Sequence, residues 1–590
     1  MIVPMKKIYV VLEDKDIHNA LDVLAGMGVL HVEHDQLPKG ERVERLRAEI
    51  ERMEEVLNIL EPLKGQAPQV PCEHWEQMFI NVLTAEERSK ELEEEIIELE
   101  SQLHRWQRWG NLDPADIEAL QKKGIHVQLF RVPESKLAEI PEGLTVEHIF
   151  TADGLTRLAV FSSQRVKLDF DEVVPPKHSV EQFQELIQRS NNERQDLQDF
   201  IRDCAKYCGS FEDALNKLQA QLSYHEALCG RNVDGPLSVI RGFCPEDACQ
   251  EIEAAARQHQ WALIMEDPSE EDQVPTLLRN PEWVNIVNPV LKLINVLPGY
   301  RELDISFAFL FFFSIFFGIL IGDAGYGAVF ALGTALIQWK AGEKIARKEP
   351  FYLMYILAAM TIAWGALTGT WFGQKWLHGL IAPLSPWLTD NANVQKVCFL
   401  IGAVQLSFAH IWRGILRSPS FSAFGEFGWA AWIWGMFFLV KQLIIEEPMP
   451  VFAPGLMVLG ALLVIFYSAP SKNILKTAGQ GMGAFFGGFI NTFTDVISYI
   501  RLFAVGLAGV AIADAFNDIA LSVGFGNVFT GVITAAILVT GHVLNIVLGS
   551  MAILVHGVRL NVLEFSNHMN IQWTGFEYKP LRAGTKTQDT

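Results

Sequence analysis

Basic charge is scarce in this sequence: 48 lysines and arginines stand against 69 aspartates and glutamates in 590 residues, a net charge of -21. A chain that acidic repels phosphate backbones, and with no zinc-spaced Cys/His set it is not expected to bind nucleic acid. Cysteine is equally sparse. Seven residues, an odd number without framework spacing, fit a reducing compartment better than a disulfide scaffold. No Gly-Lys dipeptide occurs, so there is no Walker A loop and no ATP hydrolysis by that route. His-Glu-x-x-His and Gly-x-Ser-x-Gly are also missing. The stretch from Met1 to Leu12 lacks the apolar core and cleavage site of a signal peptide, which keeps the first half in the cytoplasm. The expectation is a chain without cofactor, without metal and not catalytic by itself.

The charge that is present is unevenly spread. Residues 1–300 carry 54 acids and 31 bases, whereas residues 301–590 carry 15 acids and 17 bases. An acidic, water-soluble half precedes an apolar half long enough for many membrane crossings, which excludes both a simple soluble enzyme and a chain that is membrane throughout.

In the soluble half, Ile8 to Leu12 and Val29 to Val32 read as strands around an amphipathic helix over 16–27. Heptad steps follow at Val43, Leu46, Ile50, Met53, Leu57 and Leu60, break at Pro62 to Pro71, around Gly65, and resume at Leu92, Ile96, Leu99, Leu103 and Trp106. Strand-like runs at 125–132, 145–150 and 158–161 mark a second α/β lobe. One long helix then returns from Ser179 with the seam Leu197, Ile201, Cys204, Cys208, Phe211, Leu215, Leu218 and Leu222, weakened at Gly209. Cys204 and Cys208 share a helix face as a metal pair would, but they occupy seam positions and read as core. Strands over 237–243 and 261–265 flank a helix over 246–258. The expected organisation is a proximal α/β lobe (1–40 and 231–300, the latter with the linker), coiled-coil helices (41–110), a distal α/β lobe (111–177), a return helix (178–230) and a membrane domain with a short cytoplasmic tail (301–590). The fold class is thus an α-helical polytopic membrane domain preceded by a cytosolic two-lobe dumbbell joined by an antiparallel coiled coil.

Eight apolar runs are long enough to span a bilayer, at roughly 305–321, 324–339, 351–373, 395–412, 428–445, 451–468, 484–520 and 527–563. The positive-inside rule supports that count. One set of connections carries Lys340, Lys344, Arg347 and Lys348, then Arg413 and Arg417, then Lys472 and Lys476, then Lys579, Arg582 and Lys586. The opposite set carries Lys375, Lys396 and the pair Glu446-Glu447. Both termini come out cytoplasmic. The last two runs stay apolar for so long that a helix would reach roughly 55 Å against a hydrocarbon core of about 30 Å, which favours strong tilt.

Ionisable groups lie inside these runs. Arg501 falls near the middle of the seventh, where a lone arginine costs about 2.5–3.5 kcal/mol on insertion scales, and a functional role is the preferred reading. Asp495, Ser498 and Arg501 step by three, with Asp495 and Arg501 roughly 240° apart on an ideal helix, too far for a direct pair. Gly506 and Gly509 leave grooves for another helix. The eighth run carries a polar stripe of His542, Asn545, Gly549, His556 and Arg559, where His542 and Asn545 suit a structural role as well as a functional one. His410 and Glu426 sit near cytoplasmic ends, where interfacial anchoring and function are equal readings; Asp514 and Asp518 read as a solvated rim. The pattern Gly479-x-Gly481-x-x-Ala484 imitates a dinucleotide fingerprint but follows no strand and reads as close helix packing.

Gly322-Asp323-Ala324-Gly325-Tyr326-Gly327, Ser498-Tyr499-Ile500-Arg501-Leu502 and Val555-His556-Gly557-Val558-Arg559-Leu560 with Glu564 give the whole chain a likeness to a known family. It resembles subunit I of prokaryotic V/A-type ATPases, the counterpart of vacuolar subunit a. The resemblance implies a non-catalytic stator whose two ion half-channels face a proteolipid rotor ring. It further implies peripheral-stalk partners, coiled-coil heterodimers that link it to the ATPase sector, and residence in a prokaryotic plasma membrane, in contact with lipid. The arginine matching Arg501 meets the ionised ring carboxylate, and Arg559 matches a second arginine. His556, His542, Asn545, Ser498, Asp495 and Glu564 complete the expected ion path. Gly549 and the pair Gly487-Gly488 stand where relatives often have carboxylates; Asp495 is the expected substitute and Glu564 the expected group at the cytoplasmic mouth. Arg501 should then find its carboxylate on another subunit. A self-contained secondary transporter with a regulatory cytosolic coiled coil is the alternative, but it calls for internal repeats and an ion-binding acid of its own. Spans 1–4 and 5–8 show no repeat. A membrane-anchored receptor accounts for the coiled coil and leaves Arg501 unexplained.

Overall fold

The computed structural model describes residues 1–582 except 35, 65–68, 73, 111–112, 142, 153, 343–347, 375–381 and 471–472. Gly65, Lys344, Arg347, Lys375, Lys472 and Lys586 therefore lie outside the described residues. Two compact units emerge, one of Met1–Ile8, Phe243–Ala254 and Ile264–Lys579, the other of Tyr9–Gly242, Ala255–Leu263 and Pro580–Thr590.

The soluble half begins with β1 (Met5–Glu13), α1 (Ile17–Met27) and β2 (His31–Glu33). Ile17, Ala20, Leu21, Leu24 and Ala25 form the buried stripe of α1, and Gly28 at φ +64° closes the helix in the left-handed conformation that a residue without Cβ adopts most cheaply. Helices α2 (Glu41–Leu60) and α3 (Trp75–Gln107) run out to α4 (Pro114–Lys122) and a four-stranded antiparallel sheet of β3 (His126–Pro133), β4 (Thr145–Ala152), β5 (Leu155–Ser162) and β6 (Asp171–Val173), ordered β4-β5-β3-β6. Alternation divides that sheet between two cores. Leu129 and Ala159, opposite one another, pack under Trp106, Trp109 and Ile117, while Phe130, Leu158, Val132 and Val160 fill the other face.

The return is made by α5 (Val180–Cys204) and α6 (Cys208–Cys229) rather than by one helix. A 3-10 turn at Ala205–Tyr207 separates them, and the Gln69 amide occupies the gap, donating to the Ala205 carbonyl at 3.4 Å and accepting from Gly209 N at 3.0 Å. Four helices meet in one seam of Met53, Val56, Leu60, Val82, Ala85, Ile201, Cys204, Cys208, Phe211 and Ala214. Val56 is buried where the heptad reading placed Leu57, and Leu99 and Leu103 are only half-buried, because α3 drifts off the seam toward the distal sheet. Both cysteines are free and buried, as packing residues. β7 (Asn232–Asp234), β8 (Leu237–Pro245), α7 (Cys249–His259) and β9 (Ala262–Glu266) complete the half, and β1 and β8 form the middle of a sheet ordered β2-β8-β1-β9, with β7 paired to β8.

After the short helices α8 (Glu282–Asn285) and α9 (Asn288–Leu293), the apolar half folds into α10 (Ser306–Ile321), α11 (Ala324–Ala341), α12 (Glu349–Thr368), α13 (Asn391–Arg417), α14 (Ala423–Ile445), α15 (Ala453–Tyr467), α16 (Ile474–Ser498), α17 (Ile500–Val523) and α18 (Val528–Ala552). Each expected run is helical over most of its length, although the third stops at Thr368, short of its expected end at 373. By length and composition five stretches are able to cross a membrane, or six when the pair α10 and α11, bent by 119°, counts as one. Gly322 at φ +70° makes that bend, and the buried Asp323 carboxylate caps α11 by accepting from Gly325 N and Tyr326 N at Oδ1, while its Oδ2 accepts from Gly373 N beyond α12. The seventh stretch is longer than expected, a 50-residue Ile474–Val523, and the last continues through α19 (Ser566–Met569). Gly481 lies on α16 so close to α15 that a Cβ would meet the Ile465 carbonyl oxygen, the close packing expected of that glycine pattern, whereas Gly479 has open space around it. A phenylalanine-rich core of Phe309, Phe313, Phe316, Phe399 and Phe565 surrounds Tyr499.

Candidate functional site

Tyr499 marks the junction of α16 and α17 and fixes their rotation. It is fully buried, its hydroxyl donates to Gln405 Oε1 at 2.7 Å, and Gly402 lets α13 approach its ring so closely that a Cβ would lie 2.5 Å from it. Gln405 in turn donates to Asn561 Oδ1 at 3.0 Å, and Asn561 donates to the Gly557 carbonyl at 3.1 Å. This buried amide and hydroxyl network ties the seventh stretch to the last. Gly506 fits against the Ile319 carbonyl of α10, where a Cβ would approach to 2.6 Å, so a helix of the same chain fills the groove expected there.

The last helix carries two π-helical turns, Ile553–Gly557 and Leu560–Phe565. A π turn closes residue i onto i+5, so residues five apart share a face that ordinary helical winding would separate. Arg559 and Glu564 are five apart, and Arg559 Nε lies 3.6 Å from Glu564 Oε1. The same oxygen accepts from Arg501 Nη2 at 2.5 Å, while Arg501 Nε donates to the Ser498 carbonyl at 3.0 Å. Arg501 therefore has a carboxylate from its own chain, against the expectation that only another subunit would provide one. The reason is the π winding, which turns Glu564 inward, 5% exposed, instead of leaving it at a solvated mouth. Two guanidiniums share this one carboxylate, leaving a formal charge of +1. Glu564 Oε2 is buried and has no hydrogen-bond partner among the described residues.

Asp495 goes elsewhere. Its Oδ2 lies 3.0 Å from His568 Nε2, His568 Nδ1 lies 2.9 Å from His410 Nε2, and His410 Nδ1 lies 2.7 Å from Glu426 Oε2. Arg417 Nη1 and Arg413 Nη2 reach Glu426 Oε1 at 2.6 and 3.0 Å. Glu564 and His568, four residues apart, thus face Arg501 and Asp495 in antiparallel order. His542 and Asn545 form a third group: His542 Nδ1 lies 2.8 Å from the Tyr326 hydroxyl, and Asn545 Nδ2 donates to that hydroxyl at 3.0 Å and to the Gly509 carbonyl at 2.9 Å. Ser498 Oγ donates to the Thr494 carbonyl, and His556 Nδ1 is buried without a partner among the described residues. The expected stripe on the last helix thus divides among separate partners.

Sequence reasoning missed His568, Gln405, Asn561 and Tyr326 as members of these networks. Gln405, an amide in the middle of an apolar run, carried a usable signal. His568 carried none, since it lies beyond the last expected span.

No family model matches the chain. V-type ATP synthase subunit I of Borreliella burgdorferi is 31% identical over 512 residues, covering 81% of this chain and 82% of that one. V-type ATP synthase subunit I 1 of Treponema pallidum is 28% identical over 623 residues, covering 99% and 100%. A crystal structure of the cytoplasmic N-terminal domain of subunit I, homolog of subunit a, of V-ATPase matches 44% of this chain and 99% of its own at 16% identity, with a TM-score of 0.20. The identity to the first relative across four-fifths of both chains settles the family: the chain belongs to the V/A-type ATP synthase subunit I family, as a membrane subunit of that complex.

Proposed function

We propose that the chain is the non-catalytic stator of a rotary V/A-type ATPase, that Arg501 separates two ion half-channels facing a proteolipid ring, and that the cytosolic dumbbell anchors peripheral stalks. In this reading eight spans place both termini in the cytoplasm, with Lys340, Lys348, Arg413, Arg417, Lys476, Lys579 and Arg582 on that side. The observation that carries it is the surplus charge at Arg501. Two guanidiniums against one carboxylate at membrane depth leave a cation that a carboxylate arriving from outside the chain would neutralise.

Glu564 then acts as the resident counter-ion. It holds Arg501 between visits, and Arg559 remains to hold Glu564 when Arg501 turns to the arriving acid. That acid loses its proton, because a fixed cation lowers a carboxylate's pKa. An ion is blocked from crossing directly between the half-channels by the same charge. A potential of 100 mV supplies about 2.3 kcal/mol per charge, which the offset of the channels turns into rotation.

The test is Arg501→Ala in vesicles reconstituted with the complete complex. ATP-driven ion pumping disappears while the assembly still purifies intact. Pumping at the normal rate would show that Arg501 is held by Glu564 for packing alone.

A further inference from the structure

We propose that a basic pocket lined by Arg301, Arg413 and Arg417 holds the headgroup of an anionic phospholipid, whose acyl chains lie along an apolar face shared by α8, α10 and α13. The inference goes beyond the half-channel reading and does not depend on it. It asks only that the apolar helices lie in a bilayer.

The pocket has a volume of about 400 Å³, and Glu302, Leu416, Asn570 and Gln572 also line it. Charge there is out of balance. Glu302 spends both oxygens on backbone amides, Oε1 accepting from Gln572 N at 2.8 Å and Oε2 from Gly299 N at 2.7 Å and Trp573 N at 3.3 Å. Arg413 and Arg417 share Glu426 Oε1, whereas Arg301 is held by the carbonyls of Pro268 and Ser269 and by no ion pair among the described residues. Three guanidiniums thus stand against two carboxylates.

Hydrogen-bond donors are in surplus as well. Arg413 commits Nη1 to the His568 carbonyl and Nη2 to Glu426, so its contribution to the pocket is charge. Arg417, with its side chain 45% exposed, commits Nη1 alone, and Arg301 commits Nη2 alone. The planar fork of a guanidinium matches two oxygens of a phosphate, and these two side chains have edges left to offer one.

The neighbouring surface says what that phosphate carries. Leu416 lines the pocket and is exposed, as are Ile411 and Ile415 beside it on α13 and Phe307 and Phe311 on α10. Phe307 joins the two helices by an edge contact to Phe408 at 6.5 Å, and it meets Trp283 of α8 at 6.0 Å. An exposed indole over apolar helix ends marks the level of a membrane–water boundary. Free phosphate would use the guanidiniums and leave that face without a role, while a zwitterionic headgroup would bring a further cation to a pocket already in positive surplus. An anionic phospholipid satisfies both. Arginines that merely anchor helix ends point outward singly; here the segment before α10 and the end of α13 aim theirs into one concavity.

The complete complex in detergent tests this with two photoactivatable lipids of identical acyl chains, a phosphatidylglycerol and a phosphatidylcholine, the labelled peptides being read by mass spectrometry. The segments holding Phe307 and Phe311, and Ile411 and Ile415, should be labelled about tenfold more strongly by the phosphatidylglycerol, and equally by both lipids in an Arg301→Gln/Arg417→Gln complex. Equal labelling of the unaltered complex marks ordinary boundary lipid and refutes the site, as does a preference that survives the double substitution. A preference that millimolar inorganic phosphate abolishes assigns the pocket to the free anion and overturns the lipid reading. Should the double variant fail to assemble, the comparison of the two lipids on the unaltered complex decides. Pumping enters none of these readouts, so failure here leaves the half-channel reading standing, and normal pumping by Arg501→Ala would leave the lipid site standing.

Discussion

The coiled-coil region and the apolar helices handle charge in opposite ways. Along the coiled coil the ion pairs lie outside: Arg88 reaches Glu193 at 3.0 Å and Glu91 at 3.1 Å, with side chains about half exposed, while the seam is apolar down to a fully buried Phe211. Among the apolar helices the order is inverted. Glu426 and Glu564, each 5% exposed, gather guanidiniums from three helical stretches. Where water is available a charge is cheap to place and contributes little, so packing holds the structure. Where it is not, each charge needs a matched partner, and the few present become the most consequential residues in the chain.

The largest effect should come from unbalancing one of those buried groups. Glu564→Gln leaves Arg501 and Arg559 facing one another without a carboxylate, a break that costs about 3–5 kcal/mol when a buried pair loses one partner. The expected outcome is a complex that unfolds at lower temperature in detergent and pumps more slowly, measured by thermal inactivation beside vesicle acidification. An unaltered melting midpoint would show that the +1 cluster is already neutralised from outside, and would erase the contrast drawn between the two regions.

Much of this contrast was legible in the sequence, and the illegible part has a physical cause. The division of charge between residues 1–300 and 301–590, the helical runs and the position of Arg501 inside a long apolar helical stretch follow from composition and period alone. The seam followed the heptad through Ile201, Cys204, Cys208 and Phe211 even though the helix breaks at Ala205–Tyr207, because the inserted Gln69 amide repairs the backbone bonding without moving the apolar face. The pairing of Arg501 with Glu564 was not legible. Period 3.6 puts Arg559 and Glu564 on different faces, and the π turns that join them leave no mark in residue type. His568 was hidden for another reason: its partners lie 73 and 158 residues away, so only the tertiary fold places it.

A mutation in the seam sharpens the comparison from the other side. Phe211→Ala removes a fully buried ring from the meeting of four helices and should cost about 3–5 kcal/mol. Hydrogen exchange on the purified protein would register it as lost protection in α2, α3, α5 and α6, with the amides of α13 and α17 unchanged. Its effect on energy rivals that of Glu564→Gln, yet it arises from a cavity and not from an unmatched charge.

The smallest effect belongs to Arg88→Ala, and it is the strictest check of the argument. Arg88 makes as many ion pairs as Arg501 makes polar contacts, one to Glu91 on its own helix and one to Glu193 on α5. Counting contacts would therefore rank the two alike. Solvent reverses that ranking, because water and salt replace both partners of an exposed guanidinium as soon as it is removed. Hydrogen exchange in α3 and α5 should match the parent chain at both low and high salt. Loss of protection comparable to that of Phe211→Ala would mean that surface pairing, and not the apolar seam, holds the coiled coil together.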